Sequence, residues 1–226
     1  ENYKPWWEWS DEHSHYFECV KSIYNYEEAA AFWKFVQFIF FKQWGEIKGY
    51  ANKKGVAVIG DMPIYVAMDS VDVWSNLPMF LIDEKTLKVE KVAGVPPDYF
   101  SEDGQLWGNP IYDWKAMKND GYTWWLSRLE HNLKKYDTVR IDHFRAFASY
   151  WEIPADSKTA KVGEWKKGPG MDLFNKVFEK FGNDAPIIAE DLGVFGEDVV
   201  KLLDDTGFPG MKVIQFGFDP DRKSVV

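Results

Sequence analysis

Between residue 27 and about residue 52, Ala30, Trp33, Val36, Phe40, Trp44, Ile47 and Ala51 recur at three- and four-residue steps. That spacing lines one face of an α-helix, and Gly55 suits the left-handed position after a helix end. Further rings at Phe32, Phe35, Phe38 and Phe41 widen the stripe, which predicts one long helix packed on two sides. An apolar run over 55–61 follows, the pattern of a parallel strand covered on both faces, and it ends in Asp61. From 62 to about 119 the periodicity dissolves, punctuated by Pro63, Pro78, Pro96, Pro97 and Pro110. A compact domain seldom carries so long an irregular stretch unless it serves a function, the alternative being a plain surface excursion.

Beyond it, regular alternation returns. Tyr122, Trp125, Leu126, Leu129 and Leu133 mark a helix before a strand over 137–142. Leu173, Phe174, Val177 and Phe178 mark a second, closed by Gly182, before a strand over 187–190. Val199, Val200, Leu202 and Leu203 mark a third, ending at Gly207, before a strand over 211–216. Helix and strand in alternation predict βαβ units around a parallel sheet, an α/β fold.

Composition adds a ligand hint and removes several classes. Aromatic residues make up 18% of the 226, 12 of them Trp. Tryptophan seldom buries completely, so the surplus points to an apolar surface on which a ligand can stack. The net charge of −9 argues against nucleic acid and anionic membranes as partners, since no basic face is left to meet phosphates. Cys19 is the single cysteine, which leaves no disulfide framework and no thiolate metal site. No run of about 18 apolar residues predicts a membrane span. The chain opens at Glu1 with neither a start methionine nor a signal-peptide core, and closes at Val226 without a helix end. The expectation is a cytoplasmic protein and an internal piece of a longer chain.

Three of the four predicted strands end in acids: Asp61, Asp142 and Glu190. In a parallel α/β barrel, side chains at the carboxyl ends of strands converge on one mouth. An acid after a strand also serves as the N-cap of the next helix, which is the plainer reading of any one of them. Three together, with the long irregular stretch between the first two, favour a site. Arg140 lies two residues before Asp142, on the same strand face, where a guanidinium favours the ionised carboxylate. A Glu190 close by is then expected to rise in pKa because of the Asp142 charge. One ionised and one protonated carboxyl is the pairing that glycoside chemistry uses. The rival use of clustered acids, metal binding, finds no ligand spacing among His13, His15, His131 and His143. No phosphate-binding glycine loop and no nucleophile elbow follows a strand.

Several longer strings carry a resemblance. They are Ile59-Gly60-Asp61-Met62-Pro63-Ile64-Tyr65-Val66-Ala67, Val92-Ala93-Gly94-Val95-Pro96-Pro97-Asp98-Tyr99-Phe100 and Gly104-Gln105-Leu106-Trp107-Gly108-Asn109-Pro110. Asp69-Ser70-Val71-Asp72-Val73-Trp74, Val139-Arg140-Ile141-Asp142-His143-Phe144-Arg145 and Ile188-Ala189-Glu190-Asp191-Leu192-Gly193 complete the set. With these strings the sequence resembles the 4-α-glucanotransferase family (amylomaltases or disproportionating enzymes, glycoside hydrolase family 77) from about residue 25 to 218. The resemblance implies an α-amylase-type (β/α)₈ barrel, with only part of it in this chain. Residues 1–226 would then be an internal portion of one catalytic domain, with a loop-rich insertion at about 62–119.

It further implies transfer of an α-1,4-glucan segment to the 4-hydroxyl of glucose or a maltooligosaccharide, with no cofactor. Asp142 is the implied nucleophile and Glu190 the implied acid/base. Arg140 and His143 are implied to hold the nucleophile and the adjacent sugar, and Asp61 to sit near the donor. Tyr99 and Trp107 are the implied stacking surfaces of a loop arching over the cleft. The family's third carboxylate, in a His-Asp motif on a later strand, is not in this sequence, so the chain alone is expected to be inactive. A retaining α-glucan hydrolase and a non-catalytic glucan-binding fragment are the alternatives, and a truncation unable to fold is a third.

Overall fold

The computed structural model describes residues 3–21, 26–98, 101–192 and 196–218. Two short helices, α1 (Asp11–Ser14) and α2 (Tyr16–Lys21), precede the long helix α3 (Glu27–Lys53). Strand β1 (Ile59–Pro63) leads into helix α4 (Val71–Ser75), strands β2 (Lys91–Val95) and β3 (Gln105–Pro110), and helix α5 (Trp114–Asn119). Helix α6 (Thr123–Lys135) then feeds β4 (Thr138–Asp142), which is followed by β5 (Ser149–Pro154) and β6 (Glu164–Lys167). Helix α7 (Met171–Phe181), strand β7 (Ile187–Ala189) and helix α8 (Glu197–Thr206) complete the alternation.

Two sheets result. The parallel one has the order β1-β4-β7, with Asp61 opposite Arg140 and Arg140 opposite Ile188. On β4 the pleat sends Val139 and Ile141 into the core and Arg140 and Asp142 to the other face. The core side is filled by Trp125 and Leu129 of α6, by Leu173, Phe174 and Val177 of α7, and by Phe144 and Phe147 just past β4. Truncating one of these rings to alanine costs about 3–5 kcal/mol. Arg128 of α6 fixes the chain leaving β1, donating to the carbonyls of Pro63 (2.7 Å) and Ile64 (3.0 Å).

The second sheet is antiparallel, in the order β3-β2-β5-β6. Its first two strands come from the stretch without periodicity, which is therefore not irregular throughout. Ser70 caps α4 and Asp113 caps α5, each accepting backbone N–H groups of the first turn.

Three expectations need correction. Helix α3 forms over nearly the expected residues, yet none of its residues is buried, and Phe32, Trp33, Phe35 and Phe38 are exposed. Its hold on the fold is at one side only: Trp44 donates to the Lys135 carbonyl at 2.8 Å and Lys48 pairs with Asp137 at 2.8 Å. Strand β1 is not covered on both faces either, since Ile59, Asp61 and Pro63 are exposed and Gly60 and Met62 alone are buried. Gly60 is required there, because a Cβ would meet the Tyr136 ring at 2.0 Å.

The expected last strand over 211–216 is absent; Ile214–Phe218 form a 3₁₀ turn. The chain before it touches β7 through one bond, Ala189 N–H to the Pro209 carbonyl at 2.9 Å. Proline has no N–H to continue a ladder, and the Met211 N–H is taken at 2.6 Å by the Asp191 carboxylate.

Candidate active site

The pairing of β1 with β4 puts Asp61 directly across from Arg140. The guanidinium grips it with both arms, Nε to Oδ1 at 2.9 Å and Nη2 to Oδ2 at 2.7 Å. The same Nη2 lies 2.9 Å from Asp142 Oδ1. One fork thus holds two carboxylates, and those bonds, Asp61's foremost, push the Arg140 pKa up. Neither acid caps a helix: the turn after β4 starts at His143 with no side-chain cap.

Glu190 arrives from the end of β7 and is only 9% exposed. Its Oε2 accepts the His143 N–H at 2.8 Å and its Oε1 the Leu192 N–H at 2.7 Å. Its backbone is stitched to the same place, with its N–H donating to the Ile141 carbonyl at 2.9 Å and its carbonyl accepting from Phe144 N–H at 3.2 Å. Burial pushes the Glu190 pKa above its ordinary 4.5, and the two N–H bonds pull back. The Asp142 charge raises it as well but ranks below burial, so the expected cause is only the minor one.

His143 sits at φ 53°, a left-handed conformation uncommon for any residue but glycine, which turns the chain sharply after Asp142. Burial, helped by the Arg145 cation, holds its pKa down at about 3. The imidazole is therefore neutral near pH 7. Its ring meets the Trp107 ring edge-on at 4.8 Å. Trp107, on β3, is 37% exposed and donates to Gln105 Oε1 at 3.1 Å.

These residues border a cavity of about 190 Å³ lined by Val95, Pro96, Asp98, Gln105, Trp107, His143, Arg145, Trp165, Glu190 and Leu192. Of the residues singled out in the sequence, the fold brings Asp61, Arg140 and Asp142 into one ion-paired group and Glu190, His143 and Trp107 into the adjoining cavity. Tyr99 lies outside the described residues. The remaining lining residues, Val95, Pro96, Asp98, Gln105, Arg145, Trp165 and Leu192, are not among those singled out as site residues from the sequence. All but Trp165 lie inside the strings quoted above, whereas Trp165 carries no local signal. Chemically the site offers a buried Glu190 carboxyl raised in pKa and a more open Asp142 carboxyl paired with Arg140 at the end of the neighbouring strand. Among the described residues no cluster of His, Cys, Asp and Glu is arranged to hold a metal, and no helix is long and apolar enough to cross a membrane.

Residues 1–225 match the sequence model of the 4-alpha-glucanotransferase family. The chain belongs to that family. A 4-alpha-glucanotransferase of Clostridium butyricum is 53% identical over 198 residues, 88% of this chain and 40% of the relative. One from Streptococcus pneumoniae (strain R6) is 50% identical over 224 residues, 97% of this chain and 44% of the relative. The amylomaltase from Streptococcus agalactiae, solved in complex with acarbose, superposes with a TM-score of 0.90 at 45% identity, covering 99% of this chain and 46% of that one. The chain thus spans under half the length of these relatives, and its α/β fold matches that of the Streptococcus agalactiae amylomaltase.

Proposed function

We propose that this chain carries the nucleophile and the acid/base of a 4-alpha-glucanotransferase, within part of a (β/α)₈ barrel. The β1-β4-β7 sheet would be three of the barrel strands and residues 62–119 the insertion over its mouth. The observation that carries the reading is the strand-end arrangement of Arg140, Asp142 and Glu190: an Arg-held carboxylate beside a buried carboxyl of raised pKa. The family assignment supports it.

Asp142 attacks the anomeric carbon of an α-1,4-glucan while Glu190 protonates the departing oxygen, leaving a β-glucosyl ester. Ester formation removes the Asp142 charge, so Glu190 becomes the stronger acid and its carboxylate can then serve as base. It takes the proton of an incoming sugar 4-hydroxyl, whose oxygen displaces Asp142 and restores the α-configuration. Arg140 holds Asp142 in place with Asp61 as counterweight, neutral His143 contacts the sugar without competing for protons, and Trp107 offers a ring. Substrates would be α-1,4-glucans, maltooligosaccharides and glucose, handled in the cytoplasm without a cofactor.

The test is disproportionation of maltotriose by a polypeptide of the relatives' full length that carries this sequence. Asp142→Asn should lose transfer altogether. Glu190→Gln should lose it on maltotriose but retain ester formation from an α-glycosyl fluoride, which needs little protonation. Equal losses on both donors would contradict the acid role of Glu190.

A further inference from the structure

The cavity is one-sided with respect to the acids. Glu190 lines it, but Asp61, Arg140 and Asp142 do not. In a double displacement the acid/base faces the leaving group and then the acceptor, so this is the acceptor's side of the site. The parallel sheet supplies only part of its wall. Trp165, from β6 of the antiparallel sheet, supplies another part and stays 42% exposed.

That exposure is not looseness. Trp165 pairs with Trp151 across β5 and β6, ring centroids 5.3 Å apart. Trp151 is itself fixed, its Nε1 donating to the Ala160 carbonyl at 2.9 Å, and Gly163 makes room for it, since a Cβ there would meet the Trp151 indole at 2.6 Å. The Arg145 guanidinium lies 4.0 Å from the Trp165 ring centroid, and its Nη2 donates to Ser149 Oγ at 3.3 Å. A ring braced from two directions yet left open toward a cavity has the build of a ligand platform, since a ring serving the core would be covered.

We propose that Trp165, braced by Trp151 and Arg145, is a stacking platform for the acceptor sugar and a determinant of transfer over hydrolysis. The inference rests on the functional reading above. Glucose presents C–H groups on its ring faces and hydroxyls at its rim. With its C–H face against the indole, the acceptor turns its rim toward Glu190. The Glu190 carboxylate takes the 4-hydroxyl proton as that oxygen bonds the anomeric carbon, and the ester bond to Asp142 breaks with its electron pair returning to the carboxylate. Water makes the same attack but gains nothing from an aromatic face, so the platform favours the sugar.

The experiment uses the polypeptide of the relatives' full length, an α-maltotriosyl fluoride donor and glucose as acceptor, comparing wild type, Trp165→Ala and Trp165→Tyr. Trp165→Ala should raise the glucose KM about ten-fold, the size of one lost aromatic contact, and transfer should fall more than hydrolysis. Trp165→Tyr, which keeps a flat ring, should lie between, and it carries the test if the alanine variant fails to fold. A folded variant with the glucose KM and product partition of wild type would overturn the proposal. A wild type that forms no transfer product, or an Asp142→Asn that still does, would instead bring down the functional reading, and this inference with it.

Discussion

The His143 N–H donates to Glu190 Oε2 at 2.8 Å across 47 residues of sequence. The residue after Asp142 therefore holds the Glu190 carboxyl, and the ends of β4 and β7 are tied together at this point. The bond also sets a balance, because N–H donation favours the charged carboxylate while burial favours the neutral acid. Burial prevails, and Glu190 stands above 4.5.

That balance predicts a pH effect. Leu192→Ser keeps the backbone N–H that Glu190 Oε1 accepts but admits water to the cavity wall. Less burial lowers the Glu190 pKa, so the protonated acid is lost at lower pH. The alkaline limb of the kcat/KM profile should move to lower pH. An unmoved limb would show that burial is not what raises Glu190.

His143 predicts a stability effect of definite sign. Its pKa is about 3 in the fold against an ordinary 6.5, so between those values the unfolded chain takes up a proton that the native chain refuses. Stability should fall as pH drops from about 6.5 toward 3, by on the order of a few kcal/mol from this residue. His143→Asn accepts the left-handed backbone and cannot titrate there. Urea unfolding at pH 7 and at pH 4.5 should show a smaller acid loss in the variant than in wild type.

Trp107→Ala should spare the fold and damage transfer. The ring is 37% exposed and meets His143 by its edge, so its removal opens little core. The melting temperature should change by only a few degrees, while the ratio of hydrolysis to transfer rises. A large drop in melting temperature with unchanged partition would make Trp107 a structural anchor, an outcome expected of losses near 3 kcal/mol or more.

Gly94→Ala should do the opposite. A Cβ at this position in β2 would meet the Gln105 carbonyl oxygen at 2.2 Å and Ile153 Cδ1 at 2.5 Å. The clash is with backbone of the paired strand β3, which cannot swing aside, so a loss of about 2–4 kcal/mol is expected in chemical denaturation. Wild-type stability in the variant would mean that β2 and β3 do not pair as described.

The antiparallel sheet was the part of the fold hardest to read. β6 reads Glu-Trp-Lys-Lys and β3 has five of six residues outside the core, so neither shows a buried alternation. Their pairing depends on partners far along the chain, and a strand with polar residues on both faces leaves no periodic trace. Trp165 escaped notice for that reason. Residues 211–216 erred the other way: Met211, Val213 and Ile214 look like a strand, but the Asp191 carboxylate and Pro209 claim the places a ladder would need.

What the sequence by itself determined is local: the helical stripe of α3, the core faces of α6, α7 and α8, the alternation of β4, and the acids where strands end. Each is written in neighbouring residues, because helix and strand periods are properties of a few turns of chain. Tertiary structure alone decided that Asp61 shares the Arg140 fork with Asp142, that the His143 N–H restrains a buried Glu190, and that Trp165 reaches the same cavity. Those outcomes rest on distances of a few ångströms between residues tens of positions apart. Strand order and register set such distances, and neither is encoded in any single stretch of residues.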